Sequence, residues 1–597
     1  AVRLGSWKYI AAPGSGGWGT GGDASQPVQL YDLATDLGET KNLAAAHPER
    51  VAQLQKLLDT LIASGRSTPG TPQKNDVDVV RHPQLGAPPK KPAVKKTAAA
   101  HPNILIILAD DQGYGDVSAN NPDSKIPTPH IDRLAAEGMR FTDAHTSSGV
   151  CTPTRYSLLT GRYHWRTRLQ SGVLGGFSKP LIAANRLTLA GLLGKHGYTS
   201  ACIGKWHLGM NWPLHDGATA DDGGNFNKPF RDISRVDYAA PIHDGPVDRG
   251  FNHYYGISAS LDMFPYVWIN DRLPTEIATE TKSFLTPARP GPAGKNFEAI
   301  DVQDGIIDHT VEWITSRAAA AKAGTPFFTY VPLAAPHTPI IPTPTWQGTS
   351  GINPYADFVK QVDAGVGRLL DALESHGLAE NTIVVFTSDN GCSPSADIPR
   401  LIAAGHHPSF IYRGHKADLY EGGHRVPLLV RWPARIKAGS VCDQLVGQLD
   451  LFATVAELLG VALPADAGED SVSMLPALLG TAAAPIRTSM ITQSINGSFA
   501  IRDGQWKLCL CPGSGGWSPP RPQDDTRGLP NVQLYDLAAD PGETTNLAAT
   551  HPDRIAAMTS LLQRDIDRGR TTPGPDQPND VPITMIKQAR RKATAAK

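Results

Sequence analysis

The sequence is poor in cysteine, has no excess of either charge and contains no apolar run long enough to cross a membrane. Six cysteines among 597 residues cannot form the dense disulfide framework of small secreted domains. The 56 lysines and arginines against 57 aspartates and glutamates leave a net charge of −1. That balance argues against general binding to nucleic acids or membrane surfaces. The length instead predicts a large buried core and more than one domain.

Segment 151–162 reads C-T-P-T-R-Y-S-L-L-T-G-R and places a cysteine at the start of a predicted helix. Pro153 suits the first helical turn, where its missing N–H costs nothing. Arg155 and Arg162 add positive charge near a helix N-terminus, whose N–H groups already favour anions. The pattern predicts a site that holds an anion beside a reactive side chain. A buried or incidental cysteine is the alternative for any short part of it.

Polar residues follow four apolar strand patterns. These are 103–108 followed by Asp110 and Asp111, 198–203 followed by Lys205 and His207, 327–331 followed by His337, and 382–387 followed by Asp389 and Asn390. Helical patterns lie between them at 131–137, 187–196 and 358–376, and this alternation predicts an α/β sheet. Ligands of such sheets bind beyond the carboxyl ends of the strands. We therefore expect the four clusters to converge on one cleft.

Asp110, Asp111, Asp389 and Asn390 offer only oxygen donors. Hard oxygen ligands suit Ca²⁺ or Mg²⁺ rather than zinc. Three neighbouring carboxylates would also repel one another strongly in the absence of a cation. Crowded and flexible carboxylate coordination favours Ca²⁺, with Mg²⁺ as the alternative.

The chain resembles the type I sulfatases in three motifs. These are C-T-P-T-R-x-S-L-L-T-G-R at 151–162, G-K-W-H-L-G at 204–209 and G-x-K-x-x-x-x-E-G-G-x-R-V-P at 414–427. The resemblance implies an alkaline-phosphatase-like α/β fold, with a mixed, largely parallel sheet flanked by helices and a small α+β C-terminal subdomain. It also implies hydrolysis of sulfate monoesters of carbohydrates or aryl alcohols. His424 departs from the family pattern, which commonly has Ile there.

The resemblance also implies the site. Cys151 is converted to formylglycine by a formylglycine-generating enzyme, and its hydrate attacks sulfur to give a covalent sulfo-enzyme intermediate. The implied metal ligands are Asp110, Asp111, the modified residue 151, Asp389 and Asn390. The implied catalytic residues are Cys151, Arg155, Lys205, His207, Ser260, His337 and Lys416. Among them Arg155 supports the nucleophile, Lys205 and Lys416 grip sulfate, and Ser260 is the candidate in a weaker loop match. His337 protonates the leaving oxygen and His207 assists sulfate release.

The two ends of the sequence repeat each other. The N-terminal W-K, V-Q-L-Y-D-L, G-E and N-L-A elements recur near the C-terminus, starting at Trp7 in the first copy and at Trp506 in the second. We expect residues 1–80 to duplicate the C-terminal subdomain, 81–101 to be a linker, 102–485 to be the catalytic domain, 486–585 the C-terminal subdomain and 586–597 a basic tail. Neither copy carries a catalytic cluster, so both are assigned a packing role.

Two other functions remain open at this point. A phosphonate or phosphodiester hydrolase of the same superfamily would use the same cysteine and metal cluster, and a sulfoglycan-binding protein would result if Cys151 stayed a thiol.

The expected partner is a sulfated small molecule or glycan, without nucleic acid and without a membrane span. We expect a periplasmic or secreted protein, although no signal peptide is visible and the sequence begins at Ala1. Six loop residues that could form a substrate rim are interpreted as ordinary: Trp212, Tyr266, Trp268, His406, His407 and Arg413.

Overall fold

The computed structural model describes residues 1–12, 27–75, 79, 101–223, 232–285 and 289–586. The chain divides into two compact units, Ala1–Ala99 and Ala100–Lys597. Of the expected linker 81–101 only His101 lies among the described residues, and of the expected tail 586–597 only Ile586 does.

The first unit is a small sheet with one helix. Its elements are β1 (Val2–Leu4), β2 (Trp7–Ile10), β3 (Gln29–Asp32) and α1 (Pro48–Ser64). Strand β2 pairs antiparallel with both of its neighbours. Tyr9, Leu30 and Leu54 are fully buried at the centre of its core.

The second unit contains the remaining strands and helices. Its strands are β4 (Asn103–Ala109), β5 (Met139–Phe141), β6 (Ala144–His145), β7 (Thr199–Lys205), β8 (His253–Ile257), β9 (Ile269–Asn270), β10 (Leu273–Pro274), β11 (Glu280–Lys282), β12 (Gly291–Ala293), β13 (Phe327–Pro332), β14 (Thr382–Ser388), β15 (Leu428–Arg431), β16 (Ser440–Cys442), β17 (Val446–Gly447), β18 (Ser489–Gln493), β19 (Phe499–Asp503), β20 (Trp506–Cys509) and β21 (Gln533–Asp536). Its helices are α2 (Pro129–Glu137), α3 (Cys151–Thr160), α4 (Leu189–Gly194), α5 (Val302–Lys322), α6 (Pro354–Ser375), α7 (Ile398–Ala403), α8 (Glu421–His424), α9 (Asp450–Leu458), α10 (Leu475–Leu478) and α11 (Pro552–Asp567).

A ten-stranded sheet organises the second unit, with the described strands in the order β10-β9-β8-β7-β13-β4-β14-β15-β5-β16. The five strands from β8 to β14 in this order run parallel to one another. Strands β15 and β9 add antiparallel pairs on the two sides. The expected mixed, largely parallel sheet is therefore confirmed, as are its four predicted central strands.

Alternate side chains of β4 explain why the sheet is covered on both faces. Ile104, Ile106 and Leu108 enter the core that contains residues of α3, α4 and α9. Leu105 and Ile107 enter the opposite core, with residues of α2, α5 and α6. A strand buried on both faces needs a continuous apolar run, and this run is what the sequence showed. The polar residues of this segment, Asp110 and Asp111, therefore come only after the strand has ended.

The C-terminal part forms a second sheet, in which β18, β19, β20 and β21 are joined antiparallel in sequence order. Helix α11 contributes Met558 and Leu562 to its core. Tyr163 and Trp165, which follow α3 closely in sequence, belong to the same core. This sheet is therefore packed directly against the segment that continues from the cysteine motif.

The two repeats share an ion pair as well as their order of strands and helix. Lys8 binds Glu39 at 2.7 Å with side chains 30% and 31% exposed. The equivalent Lys507 and Glu543 are 2.8 Å apart but only 2% and 0% exposed. Lys507 also contacts Glu421 of α8 at 2.9 Å. Thus the C-terminal copy has this pair buried against the larger domain.

Candidate active site

Two neighbouring parallel strands bring the four predicted oxygen ligands together. The pairing of β14 with β4 sets Ser388 beside Ala109, so the residues that follow both strands meet at the same edge. The backbone N–H of Asp111 donates to Asp389 Oδ1 at 3.2 Å. The amide of Asn390 donates to Asp111 Oδ1 at 2.7 Å. All four side chains of this carboxylate cluster (Asp110, Asp111, Asp389 and Asn390) are fully buried.

Three cationic side chains surround the carboxylate cluster. Lys205, at the end of β7, donates from Nζ to Asp110 Oδ2. Lys416 Nζ lies 2.6 Å from an oxygen of Asp111. On α3, Arg155 binds Asp389 through Nη2 at 2.7 Å and the Lys205 carbonyl through Nη1 at 2.8 Å. The predicted lysines and arginine therefore contact the predicted metal ligands directly.

The carboxylate cluster fits a divalent cation. Asp110 Oδ1 and Asn390 Oδ1 are buried, and no described residue offers them a hydrogen bond. Burial and the nearby Asp110 raise the pKa of Asp389 to about 7, which reflects the crowding of negative charge. Oxygen atoms without partners beside crowded carboxylates are what a bound Ca²⁺ or Mg²⁺ would use. His337 is also close, with Nε2 3.7 Å from Asp111 Oδ2.

Cys151 is the first residue of α3 and is only 2% exposed. It shares a small apolar cluster with Val150, Val173 and Ala417. Burial raises the pKa of its thiol to about 11, against the opposing effect of Lys205 and Lys416. An unmodified thiol here is therefore protonated at neutral pH and is a poor nucleophile.

His207 is held in a fixed orientation. The His207 backbone has φ 55° and its Nε2 donates to the Leu174 carbonyl at 2.8 Å. The Thr152 hydroxyl donates to the backbone carbonyl of His207 at 3.0 Å. Burial, followed by the charges of Lys205 and Arg155, places its pKa well below the ordinary value. The ring is thus neutral, and its buried Nδ1 has no partner among the described residues. That nitrogen carries the lone pair that can accept a proton.

His337 and Ser260 occupy two other strand-end loops. His337 Nδ1 donates to the Thr338 carbonyl at 2.6 Å, which leaves Nε2 facing Asp111. Burial, with Lys416 adding to it, lowers the pKa of His337. Ser260 is 2% exposed, and its hydroxyl has no partner in the described part of the chain. The structure thus joins His337 to the carboxylate cluster by contact and gives Ser260 no such contact.

Sequence reasoning missed Asp418 and Trp517. Asp418 is fully buried, and its Oδ1 accepts hydrogen bonds from the backbone N–H groups of Trp517 at 2.8 Å and Ser518 at 3.0 Å. The Trp517 ring centroid lies 6.0 Å from Lys416 Nζ. The sequence held a signal for each residue. Asp418 lies two residues after Lys416 in the same motif, and Trp517 ends the G-S-G-G-W segment that occurs in both repeats. Trp212 and Tyr266, by contrast, are buried core residues.

A second buried group of acids and histidines lies around α8. It contains His145, Glu421 and His424, whose donor atoms are close enough together to hold a metal ion. Two cations already neutralise Glu421, because Lys507 Nζ lies 2.9 Å and Arg425 Nε 2.8 Å from its carboxylate. We interpret this group as an ion network between the catalytic part and the C-terminal sheet.

Comparison with known proteins identifies the class. The sequence profile of the Sulfatase family matches residues 102–461. The N-acetylgalactosamine-6-O-sulfatase of Bacteroides thetaiotaomicron is 33% identical over 507 residues, which are 77% of this chain and 92% of that relative. Arylsulfatase A of Bos taurus is 32% identical over 519 residues, which are 80% of this chain and 91% of that relative.

A solved structure shows the same fold. It is the structure of a sulfatase from a study of the metabolism of multiple glycosaminoglycans by Bacteroides thetaiotaomicron. This chain superimposes on it with a TM-score of 0.66 at 32% sequence identity. The match covers 78% of this chain and 99% of that one. The chain belongs to the Sulfatase family. It is a sulfuric ester hydrolase, in a family that generally uses a metal ion and formylglycine. Among the described residues, no helix is both long and apolar enough to cross a membrane.

Proposed function

We propose that this sulfatase removes sulfate from carbohydrate esters with a formylglycine at position 151 and a bound Ca²⁺ ion. The observation that carries the proposal is the position of Cys151, at the start of α3, in a pocket where Lys205 and Lys416 contact Asp110 and Asp111. The modified residue, once hydrated, would supply one hydroxyl to attack sulfur and a second to release the product. A serine lacks the second hydroxyl and therefore lacks this exit.

The metal would be held by Asp110, Asp111, Asp389 and Asn390. The oxygens of Asp110 and Asn390 that have no partner among the described residues support this assignment, and the all-oxygen donor set favours Ca²⁺ with Mg²⁺ as the alternative. A dication bound there would neutralise the crowded carboxylates and polarise a sulfuryl oxygen.

Lys205 and Lys416 would hold the sulfuryl oxygens, where negative charge grows in the transition state. Both side chains are buried, so water does not screen their charge. Arg155 is anchored to Asp389 and to the Lys205 carbonyl, and this ties the position of α3 to that of the lysine. Arg155 would thereby restrict the movement of residue 151. Its positive charge would also stabilise the anionic form of the nucleophilic oxygen on residue 151.

Two histidines would move the protons. His207 donates its Nε2 proton to the Leu174 carbonyl, so its neutral Nδ1 can accept a proton during release of sulfate. His337 donates from Nδ1 to the Thr338 carbonyl, so Nε2 is the atom that would first take up a proton and then deliver it from the imidazolium form to the leaving alcohol, with Lys416 as a second donor. Ser260 would add a hydroxyl contact to sulfate.

The substrate is proposed to be a sulfated glycan or one of its sugars. The relative from Bacteroides thetaiotaomicron is named for an N-acetylgalactosamine 6-sulfate, and it matches this chain over 507 residues. Maturation would require a formylglycine-generating enzyme. A periplasmic or secreted location accords with a polymeric substrate outside the cell.

We also assign residues 1–80 to a duplicate of the C-terminal subdomain with a packing role, followed by a linker at 81–101. The catalytic domain would span 102–485, the C-terminal subdomain 486–585 and a basic tail 586–597. The shared strand order and the equivalent ion pairs of Lys8 and Lys507 support the duplication.

Cys151→Ser tests the proposed release step. The variant should accumulate sulfated protein, seen by intact mass, after incubation with 4-nitrophenyl sulfate, and should turn over poorly. Multiple-turnover activity equal to that of the native enzyme would contradict the role of residue 151. A phosphonate ester assayed in parallel should be hydrolysed more slowly than the sulfate, and the reverse order would favour a phosphonate hydrolase.

A further inference from the structure

We propose that Trp517, contributed by the C-terminal subdomain, is the platform on which the sugar ring of the substrate stacks. This inference rests on the proposed function, because it takes the sulfate to be held at Lys416. It assigns a specificity residue to a part of the chain that carries no catalytic group.

Trp517 lies beside one of the two lysines proposed to bind sulfate. The Trp517 ring centroid lies 6.0 Å from Lys416 Nζ, and Lys416 in turn contacts Asp111 at 2.6 Å. The pocket around Cys151, Lys205 and Lys416 is buried, so the alcohol portion of a bound ester must extend toward solvent. Trp517 is 39% exposed beside one of the sulfate-binding lysines, so its ring is available to that portion.

The loop that carries Trp517 is anchored by hydrogen bonds, although the ring itself is exposed. Asp418 accepts two backbone hydrogen bonds, from Trp517 at 2.8 Å and Ser518 at 3.0 Å, and a third from the Ser518 hydroxyl. Leu419 N–H donates to the Ser514 carbonyl at 2.8 Å. Gly516 approaches so closely that a Cβ there would lie 2.3 Å from the Ala417 carbonyl oxygen. The backbone of Trp517 is therefore held by the same motif that carries Lys416, so little backbone ordering is left to occur on binding.

The C-terminal subdomain also packs against the surroundings of Cys151. Ile495, which follows β18, packs on the apolar cluster that includes Cys151 and Ala417. Its backbone N–H donates to the Ala417 carbonyl at 3.0 Å. Trp517 continues this wall outward from the buried sulfate site to solvent.

The chemistry of an exposed indole face fits a pyranose ring. Such a face offers a large apolar contact with little side-chain entropy to lose, and the C–H groups on one side of a sugar ring match it. Ligand sites commonly combine such a surface with a few placed polar groups. Here Lys205 and Lys416 would bind the sulfate group, and the Trp517 indole would bind the sugar ring to which that sulfate is esterified. The ligand class is therefore a hexose or hexosamine sulfate.

The test measures binding separately from turnover. N-acetylgalactosamine 6-sulfate and inorganic sulfate are titrated calorimetrically into Ca²⁺-loaded Cys151→Ala protein, with and without Trp517→Ala or Trp517→Phe. For the sugar sulfate, Trp517→Ala should raise the Kd about tenfold, and Trp517→Phe should recover most of the loss. The Kd of inorganic sulfate should change less than about twofold in both. Leu529→Ala is the matched control, since Leu529 is equally exposed at 39% in the same β20–β21 connection.

Each outcome decides a different claim. An unchanged Kd for the sugar sulfate in Trp517→Ala, or equal losses for sugar sulfate and inorganic sulfate, would overturn the platform. The proposed function is judged separately, by hydrolysis of the same sugar sulfate by native enzyme. Binding that depends on Trp517 without any hydrolysis would leave the platform standing and refute the proposed reaction.

Discussion

Lys507 of the C-terminal sheet and Glu421 of the motif that carries Lys416 form a buried ion pair at 2.9 Å. Lys507 also binds Glu543, so one ammonium group joins two carboxylates that are both 1% exposed or less. Glu421 begins α8, five residues after Lys416. The C-terminal subdomain thus stabilises the part of the chain from which Lys416, proposed to bind sulfate, projects.

Lys507→Met should strongly destabilise the enzyme. Among the described residues, removal of the ammonium leaves the buried Glu543 without a cation and leaves Glu421 with Arg425 alone, and loss of one partner of a buried pair typically costs about 3–5 kcal/mol. The first repeat provides a matched control, because Lys8 and Glu39 form the equivalent ion pair there with side chains that are 30% and 31% exposed. Lys8→Met should cost less than about 1 kcal/mol. Urea unfolding followed by far-ultraviolet circular dichroism measures both, and equal effects of the two substitutions would contradict this expectation.

His424 should make the enzyme less stable in mild acid. Burial, with Lys507 adding to it, holds the pKa of His424 well below its ordinary value, so the folded ring stays neutral. The unfolded ring takes up a proton below about pH 6.5, and this uptake favours unfolding as the pH falls. At pH 5.5 the loss from this one group amounts to about 1.4 kcal/mol relative to neutral pH.

His424→Gln should remove that loss. The unfolding free energy of the variant should therefore fall less between pH 7.5 and 5.5 than that of the native enzyme, as measured by urea titration at both values. His47→Gln, at a histidine that is 43% exposed, serves as the control and should leave the native pH dependence. A native dependence retained in His424→Gln would show that other groups cause it.

Removal of divalent ions should abolish turnover and weaken the fold. The buried oxygens of Asp110 and Asn390 then have no ligand, and the carboxylates repel. An ion present at a hundred times its Kd stabilises a protein by about 2.7 kcal/mol, so dialysis against a chelator should lower the unfolding temperature. Ca²⁺ should restore both properties better than Mg²⁺. Full activity in protein shown to be metal-free by elemental analysis would refute the metal site.

Deletion of residues 1–97 should leave the chemistry intact. The predicted catalytic residues all lie in the second unit, and the first unit has its own core around Tyr9, Leu30 and Leu54. The truncated protein should match the full chain in kcat and KM for 4-nitrophenyl sulfate. A truncated protein that folds and binds metal but has lost turnover would mean that the first unit contributes to catalysis.

The sequence predicted the centre of the site because two parallel strands carry it. A continuous apolar run followed by acids occurs at both 103–111 and 382–390, and parallel pairing of neighbouring strands brings such endings together. The motifs around Cys151, Lys205 and Lys416 then supplied the cations. Physical periodicity and a family resemblance thus pointed to the same residues.

Contacts between distant segments could not be predicted in this way. The Nδ1 atoms of His145 and His424 lie 3.0 Å apart although the two residues are 279 positions apart in sequence. Asp418 likewise accepts a hydrogen bond from the backbone of Ser518, 100 residues further along the chain. Such pairs depend on how the C-terminal sheet docks, which no local pattern encodes. Trp517 was missed for the same reason, because its neighbour Lys416 belongs to another subdomain.

The most direct test of the account is the mass of the peptide that contains residue 151, isolated from native active enzyme. We predict that the peptide has the lower mass of an aldehyde and that this fraction rises in proportion to specific activity across preparations. Fully active enzyme in which every such peptide carries an unmodified cysteine would contradict the account.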